Sequence, residues 1–279
     1  MVEKNSGKGA VDENFPVGSL LIAKPLRPTV MAYYAFARAA DDIADDADLP
    51  AEDKVARLDR FEDGLMGRDD DPALATARRC GAALSAAEVD LRHAADLLSA
   101  FRQDATKTRY ADWGELMDYC SRSASPVGRF LLALHGEDEA GFAASDPLCD
   151  ALQVLNHLQD LKKDKLAIDR VYLPGDWMDE AGIDVDALTA DAESPALRTV
   201  IDRCLDGTDA LIERACALPG RLRSRRLAME SAAIVKIAQA LSRALRRNDP
   251  IAARVALSKT AKALCVLRGA VWGAVAARP

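Results

Sequence analysis

Tyr34-Ala-Phe-Ala-Arg38-Ala-Ala-Asp41-Asp42-Ile-Ala-Asp45-Asp46 contains neither glycine nor proline, and its spacing is that of a helix. Tyr34, Arg38, Asp41 and Asp45 follow steps of four, three and four, which places them on one stripe of an α-helix. Asp42 and Asp46 fall about 100° further round. Like charges one turn apart oppose helix formation by a few tenths of a kcal/mol. A bound cation would relieve them; without one, the run reads as an acidic surface turn.

A second stretch repeats the theme. Gln153-Val-Leu-Asn156-His-Leu-Gln-Asp160-Leu-Lys-Lys-Asp164 sets Asn156, Asp160 and Asp164 at successive four-residue steps, again on one face. Leu152, Leu155 and Leu158 supply an apolar face, so the helix is expected to be partly buried with its carboxylates directed to a polar cavity or to solvent. Taken alone, either motif reads as a solvated face, relieved in the second case by Lys162, Lys163 and Lys165. Two DxxxD pairs, one preceded by Arg38 and the other by Asn156, point to a shared purpose.

Carboxylates without thiolate or imidazole suit Mg²⁺ rather than Zn²⁺. Magnesium binds through one or two carboxylates plus phosphate oxygens, so a diphosphate is the natural third party. Neutralising that diphosphate would make it a better leaving group. The implied reaction is ionisation of a carbon–oxygen bond in an allylic or cyclopropylcarbinyl diphosphate.

The remaining sequence sets the frame. With 44 acidic and 37 basic residues in 279, the formal charge is −7, which argues against a nucleic-acid partner. A hydrophobic share of 49% is ample for a buried core. Residues recur at three- and four-residue spacing, and period-two alternation is nearly absent, so the fold class is all-α. Helix starts are expected at Ser85 with Glu88, Asp146-Pro147, Ser194-Pro195 and Asp249-Pro250. Breaks are expected at Leu49-Pro50, Gly67, Gly136, Pro174-Gly175, Pro219-Gly220 and Asn248. No long linker divides the chain, which is read as a tail over 1–11 and one domain over 12–279.

Cys80, Cys120, Cys149, Cys204, Cys216 and Cys265 are scattered without a CxxC pair, which suits a reducing, cytoplasmic setting. The polar N-terminus lacks the apolar core of a secretory signal. The late apolar stretch 263–277 is interrupted by Arg268 and is shorter than the roughly 20 residues that span a bilayer. Any membrane contact is therefore expected to be peripheral, at the inner face. The basic cluster Arg221, Arg223, Arg225 and Arg226 would suit anionic lipid or a solvated helix start. His93, His135 and His157 are dispersed, and His157 is read as a packing residue. No serine has His and Asp partners at a readable spacing, so a hydrolase triad has no support.

These residues resemble the squalene/phytoene synthase family. The resemblance runs from about Asn14 to Lys262, through Arg38-x-x-Asp41-Asp42-x-x-Asp45, Tyr119-Cys-Ser-Arg-Ser-Ala-Ser-Pro-Val-Gly128, Gln153-x-x-Asn156-x-x-x-Asp160-x-x-x-Asp164 and Arg170-Val-Tyr-Leu-Pro174. The finer pattern, in Glu13-Asn-Phe-Pro-Val17, Ser123 to Gly128 and the Gln159-Asp160 pair, is similar to the hydroxysqualene-forming branch of the hopanoid pathway. The resemblance implies an isoprenoid synthase helical bundle with a central active-site cavity. It implies conversion of presqualene diphosphate, or another prenyl diphosphate, with Mg²⁺ and without NADPH, between pathway enzymes upstream and downstream.

Carried over by position, Asp41, Asp45, Asp160 and Asp164 correspond to metal-binding acids, with Asn156 beside the second pair. Arg38 and Arg254 correspond to diphosphate-facing arginines. Phe15, Tyr34 and Gln153 correspond to cavity-lining positions, Ala124, Val127 and Gly128 to a helix that bends to admit substrate, and Tyr119, Arg170 and Tyr172 to further substrate-binding positions. Asn14, Gln159 and Ile237 depart from the residues common in the family, which leaves fewer diphosphate contacts and favours an enzyme taking one preformed diphosphate. The alternatives are a presqualene diphosphate or dehydrosqualene/phytoene-type synthase condensing two prenyl diphosphates, and a silent helical binding protein.

Overall fold

The computed structural model describes residues 21–277, and within them the helical periodicity is realised as a succession of helices with no β-strand. In chain order these are α1 (Arg27–Ala44), α2 (Ala51–Leu65), α3 (Ala75–Ala86), α4 (Arg92–Asp104), α5 (Trp113–Ser123), α6 (Ser125–Leu134), α7 (Phe142–Ile168), α8 (Gly175–Glu180), α9 (Pro195–Ala215), α10 (Arg225–Arg247) and α11 (Lys259–Ala276). They group into two compact units, α1 to α4 with nearly all of α6 in the first, and α5 with α7 to α11 in the second.

Most of the expected joints hold. Pro50 caps the start of α2, Gly67 and Gly136 take positive φ (71° and 69°) just beyond α2 and α6, and Asn248 caps the end of α10. Ser194 is the N-cap of α9: its Oγ accepts from the Leu197 N–H at 3.1 Å, with Pro195 in the first turn. This cap satisfies one of the helix's orphan donors.

Three expected starts differ. Ser85 lies near the end of α3, and Glu88 adopts φ 54°, so this pair closes a helix. Pro147 sits inside α7, which begins at Phe142. Asp249 does cap, accepting from the N–H groups of Ile251 (2.7 Å) and Ala252 (3.1 Å), but only a turn follows.

The first unit closes over a core from α1 to α4 and α6. Phe36, Leu58, Phe61, Leu74, Leu84 and Leu98 are fully buried there. Phe36 stacks on Phe61, and Tyr33 stacks on Phe130 with centroids 3.9 Å apart. On α1, the buried set Tyr33, Phe36, Ala40 and Ile43 leaves Tyr34, Arg38 and Asp41 half-buried beside it.

In the second unit, α7 buries Val154, Leu155, Leu158 and Leu161, while α10 packs on α7, α9 and α11. The α10–α11 contact is unusually close. A Cβ on Gly269 would lie 2.3 Å from Cα of Ala233, and one on Gly273 would lie 2.4 Å from the Ala228 carbonyl. Only glycine allows the two backbones to approach this far. The segment after α7 is pinned by backbone bonds, Val171 N–H to Thr108 O and Gly175 N–H to Tyr110 O, each 2.9 Å.

Candidate active site

In the first unit, α1 presents the first acidic motif at its C-terminal end. The helix stops at Ala44, so Asp45 is its C-cap rather than an interior residue, with its N–H still bonded to the Asp41 carbonyl at 2.9 Å. Carboxylates at the carbonyl end of a helix work against the macrodipole as well as each other. Arg38 answers part of this charge. Its Nη2 lies 2.5 Å from Oδ2 of Asp41 and 3.0 Å from Oδ1 of Asp42, with Nε also donating to Asp42 at 3.3 Å.

That geometry revises the division of the four acids into two independent faces. The Asp42 side chain is 6% exposed against 32% for Asp41, and one guanidinium holds both. Asp46 is different: its Oδ1 accepts from the Asp48 N–H at 3.1 Å and shapes the turn after the helix.

In the second unit, Gln153, Asn156, Asp160 and Asp164 line α7 as half-buried polar residues above the buried leucines. Asp160 is held by Arg254, whose Nε donates to Oδ1 at 2.6 Å, and Lys163 lies 3.7 Å from its other oxygen. The neighbouring Gln159 is buried and donates through Nε2 to the carbonyl of Val255. Two consecutive residues of α7 therefore grip two consecutive residues of the loop before α11. Gln159, which the sequence marks both as a departure from the wider family and as part of the Gln159-Asp160 pair, ties down the segment that carries Arg254.

Tyr119, Arg170 and Tyr172 meet in the same unit around a residue that sequence reasoning left as packing. The His157 ring stacks on Tyr172 with centroids 3.4 Å apart and 11° between planes, and Tyr119 lies 6.0 Å from Tyr172. Arg170 donates through Nη1 to the Tyr172 hydroxyl at 3.2 Å, and Tyr110 stacks on Tyr172 with centroids 5.6 Å apart. His157 is fully buried, and its Nε2 makes no hydrogen bond. Burial, with a smaller contribution from the Arg170 charge, pushes its pKa down to about 3. The imidazole is thus neutral at ordinary pH.

Arg170 follows Asp169, which ends α7 in the left-handed conformation (φ 50°) and is held there by Arg109 and Lys165. The bend expected at Ala124 is a full break. Here α5 ends, Ala124 takes φ −126° and ψ −48°, and α6 restarts at Ser125 with Pro126 in its first turn. Proline is tolerated there because first-turn N–H groups have no intrahelical acceptor. Val127 packs against the first unit's core, and Gly128 is buried on α6. Phe15 and Asn14 lie outside the described residues.

Among the described residues no three His, Cys, Asp or Glu side chains gather into a ready-made metal cage. The donors of the two motifs are carboxylate and amide oxygens, which fit a hard ion completed by phosphate oxygens and water rather than a closed protein site. All six cysteines are free; Cys80 and Cys120 are buried in the helix layers, and burial pushes the Cys80 thiol up to about 12.

An all-helical fold carrying two aspartate motifs at four-residue steps, each with an arginine seated on it, offers the oxygen donors and cations that a metal-bound diphosphate requires. The chain belongs to the squalene/phytoene synthase family, whose model matches residues 9–261. It is 44% identical to the hydroxysqualene synthase of Rhodopseudomonas palustris over 260 residues, 91% of this chain and 87% of that one. It is 40% identical to the hydroxysqualene synthase of Zymomonas mobilis over 250 residues, 90% of this chain and 84% of that one. The squalene synthase HpnC from Alicyclobacillus acidocaldarius superposes with a TM-score of 0.72 at 31% identity, covering 83% of this chain and 87% of the other. A phytoene synthase of Rhodobacter capsulatus is more distant, at 33% over 72% of this chain and 60% of its own length.

Proposed function

We propose that the chain is a hydroxysqualene synthase, converting presqualene diphosphate and water to hydroxysqualene and diphosphate. The carrying observation is that the aspartates of both motifs, with Arg38 and Arg254 on them, are in place in a chain 40–44% identical to hydroxysqualene synthases across about nine-tenths of its length.

Asp41 on α1 and Asp45 at its C-cap, with Asp160, Asp164 and Asn156 on α7, are the residues assigned to hold Mg²⁺. When bound, the metal supplies charge neutralisation on the departing diphosphate. Arg38 and Arg254 supply two further cationic groups that bind the diphosphate, each already poised on a motif aspartate. Tyr34, Gln153 and the Tyr119–Tyr172 cluster orient the hydrocarbon, and aromatic faces stabilise a passing cation by roughly 0.5–2 kcal/mol. Phe15 is assigned to the same cavity by resemblance. The cation formed on ionisation opens its cyclopropane and is captured by water, so no reductant enters the balance and NADPH is not required.

The whole chain from residue 12 is read as one synthase domain, fed by an enzyme that makes presqualene diphosphate and drained by one that consumes the alcohol. Its work is assigned to the cytoplasm, at the inner face of the membrane. No helix among the described residues is long and apolar enough to cross a bilayer.

The test is turnover of presqualene diphosphate in ¹⁸O-water, with and without NADPH. Labelled hydroxysqualene, unchanged by NADPH, is the expected product. Squalene that appears only with NADPH, or unlabelled alcohol, would remove this reading. Product formed from farnesyl diphosphate alone would assign the chain to the condensing synthases instead.

A further inference from the structure

The C-terminal helix α11 carries an apolar stripe on the side turned away from its own unit. Leu264, Leu267, Val271 and Val275 follow steps of three, four and four, one face of a helix, and are between 49% and 84% exposed. Gly269 and Gly273 occupy the opposite side, clamped on α10. Met31 and Leu166 are the other large apolar side chains exposed among the described residues, so this exposure is concentrated on one helix.

The charge of the chain is divided along the same line. Residues 219–279 hold thirteen Lys and Arg against two acids, Glu230 and Asp249, a charge of +11, which leaves −18 on the first 218 residues. Arg221, Arg223, Arg225 and Arg226 are exposed at the start of α10, and Arg225 reaches the last turn of α11, donating to the Ala274 carbonyl at 3.1 Å. Lys259 is exposed at the other end of α11, and Arg268 is exposed beside the stripe. Lys236 sits over the Trp272 ring at 4.8 Å. The stripe is thus bordered by cations at both ends.

We infer that this face of α11, with the arginine cluster of α10, docks the protein on an anionic lipid surface, the helix lying in the plane of the interface. An apolar helical face bordered by Lys and Arg with an adjacent tryptophan has the chemistry of such a surface. The charge selects the occupant. A second copy meeting this face symmetrically would bring +11 against +11, whereas anionic headgroups complement it. The inference deepens the peripheral contact proposed above by naming its surface, and it rests on exposure and charge rather than on the reaction.

The test is flotation of the full chain with vesicles of phosphatidylcholine alone or of phosphatidylcholine with phosphatidylglycerol. The expected result is binding to the phosphatidylglycerol vesicles only, weakened by salt as screening shortens. Leu267→Glu and Val271→Glu are each expected to abolish it, and Arg225→Gln to lower it about fivefold. Circular dichroism melts and diphosphate release from detergent-dispersed substrate are expected to stay at the parent values. Failure of the parent chain to float, or equal flotation by Leu267→Glu, would overturn the inference. So would a dimer of the parent chain that Leu267→Glu converts to monomer, because a second copy would then own the stripe. A chain that floats but forms no hydroxysqualene would sink the proposed reaction and leave this surface standing.

Discussion

Arg254 lies across the second acidic motif, its Nε donating to Oδ1 of Asp160 at 2.6 Å over a separation of 94 residues. Arg38 holds the corresponding place on Asp41 at 2.5 Å. Each motif therefore carries an arginine that offsets part of its charge in the folded chain. Removing the acid should cost the reaction more than it costs the fold. Asp160→Ala and Asp41→Ala are each expected to lower diphosphate release by about 10²-fold or more, with the far-ultraviolet spectrum unchanged. EDTA is expected to stop the parent enzyme and Mg²⁺ to restart it. Near-normal turnover by either variant would remove the metal assignment.

Gln159 is expected to act through its neighbour. Gln159→Leu leaves the buried Val255 carbonyl without its donor, a loss of about 1–3 kcal/mol in denaturant unfolding. Because the same loop carries Arg254, KM for the diphosphate substrate should rise, and Gln159→Met, which keeps the side-chain length but has no donor, should not restore it. A variant with lowered stability and an unchanged KM would show that the glutamine only packs.

The two acids off the α1 stripe should separate. Asp42→Asn loosens Arg38 from a nearly buried partner and is expected to lower both activity and melting temperature. Asp46→Asn, on an exposed turn, should leave both near the parent values. Equal losses at the two positions would show that the Arg38 bridge carries no weight.

Acid should destabilise the fold through its histidines. His157 titrates near 6.5 when unfolded and at about 3 when buried, so between those values the unfolded chain binds a proton that the native chain refuses. Its contribution is fully present above pH 6.5 and falls by about 1.4 kcal/mol per pH unit below it. Burial lowers the pKa of His93 and His135 as well, so they act with the same sign. Denaturant melts across this range should show a shallower slope for His157→Phe, which keeps a ring against Tyr172. Parallel slopes would contradict it.

Gly269→Val should break the α10–α11 contact. A side chain 2.3 Å from the Ala233 backbone cannot be absorbed by a rotamer change, and overpacking of this kind costs typically about 1–3 kcal/mol. Proteolysis should then release α11 first. Equal protease resistance would show that the helix is held elsewhere.

What the sequence disclosed was local. The steps of four, three and four from Tyr34 to Asp45 and the four-residue steps from Asn156 to Asp164 place side chains on a helix face whatever surrounds it, and Ser194-Pro195 caps α9 through atoms three residues apart. The misplaced starts share a cause: Ser85, Asp146 and Asp249 can serve a helix end, a helix interior or a closed turn, and only packing decides among them. The end of α1 at Ala44 was invisible because Asp45 and Asp46 carry no breaker. Partnerships over long separations left no trace in spacing. Gln159 with Val255, Arg254 with Asp160 and His157 on Tyr172 exist because α7 is buried against later segments, and no pattern within either segment announces them.

The glycine seam beneath α11 has one more consequence. Many helices that lie on membranes are unstructured in water and spend part of their binding energy on folding. Here Gly269 and Gly273 lock the helix to α10 before any lipid arrives, so the ordering cost has already been met within the fold. Docking should leave helical content unchanged, and the arginines of α10 and the stripe of α11 should reach the surface together as one stiff wedge.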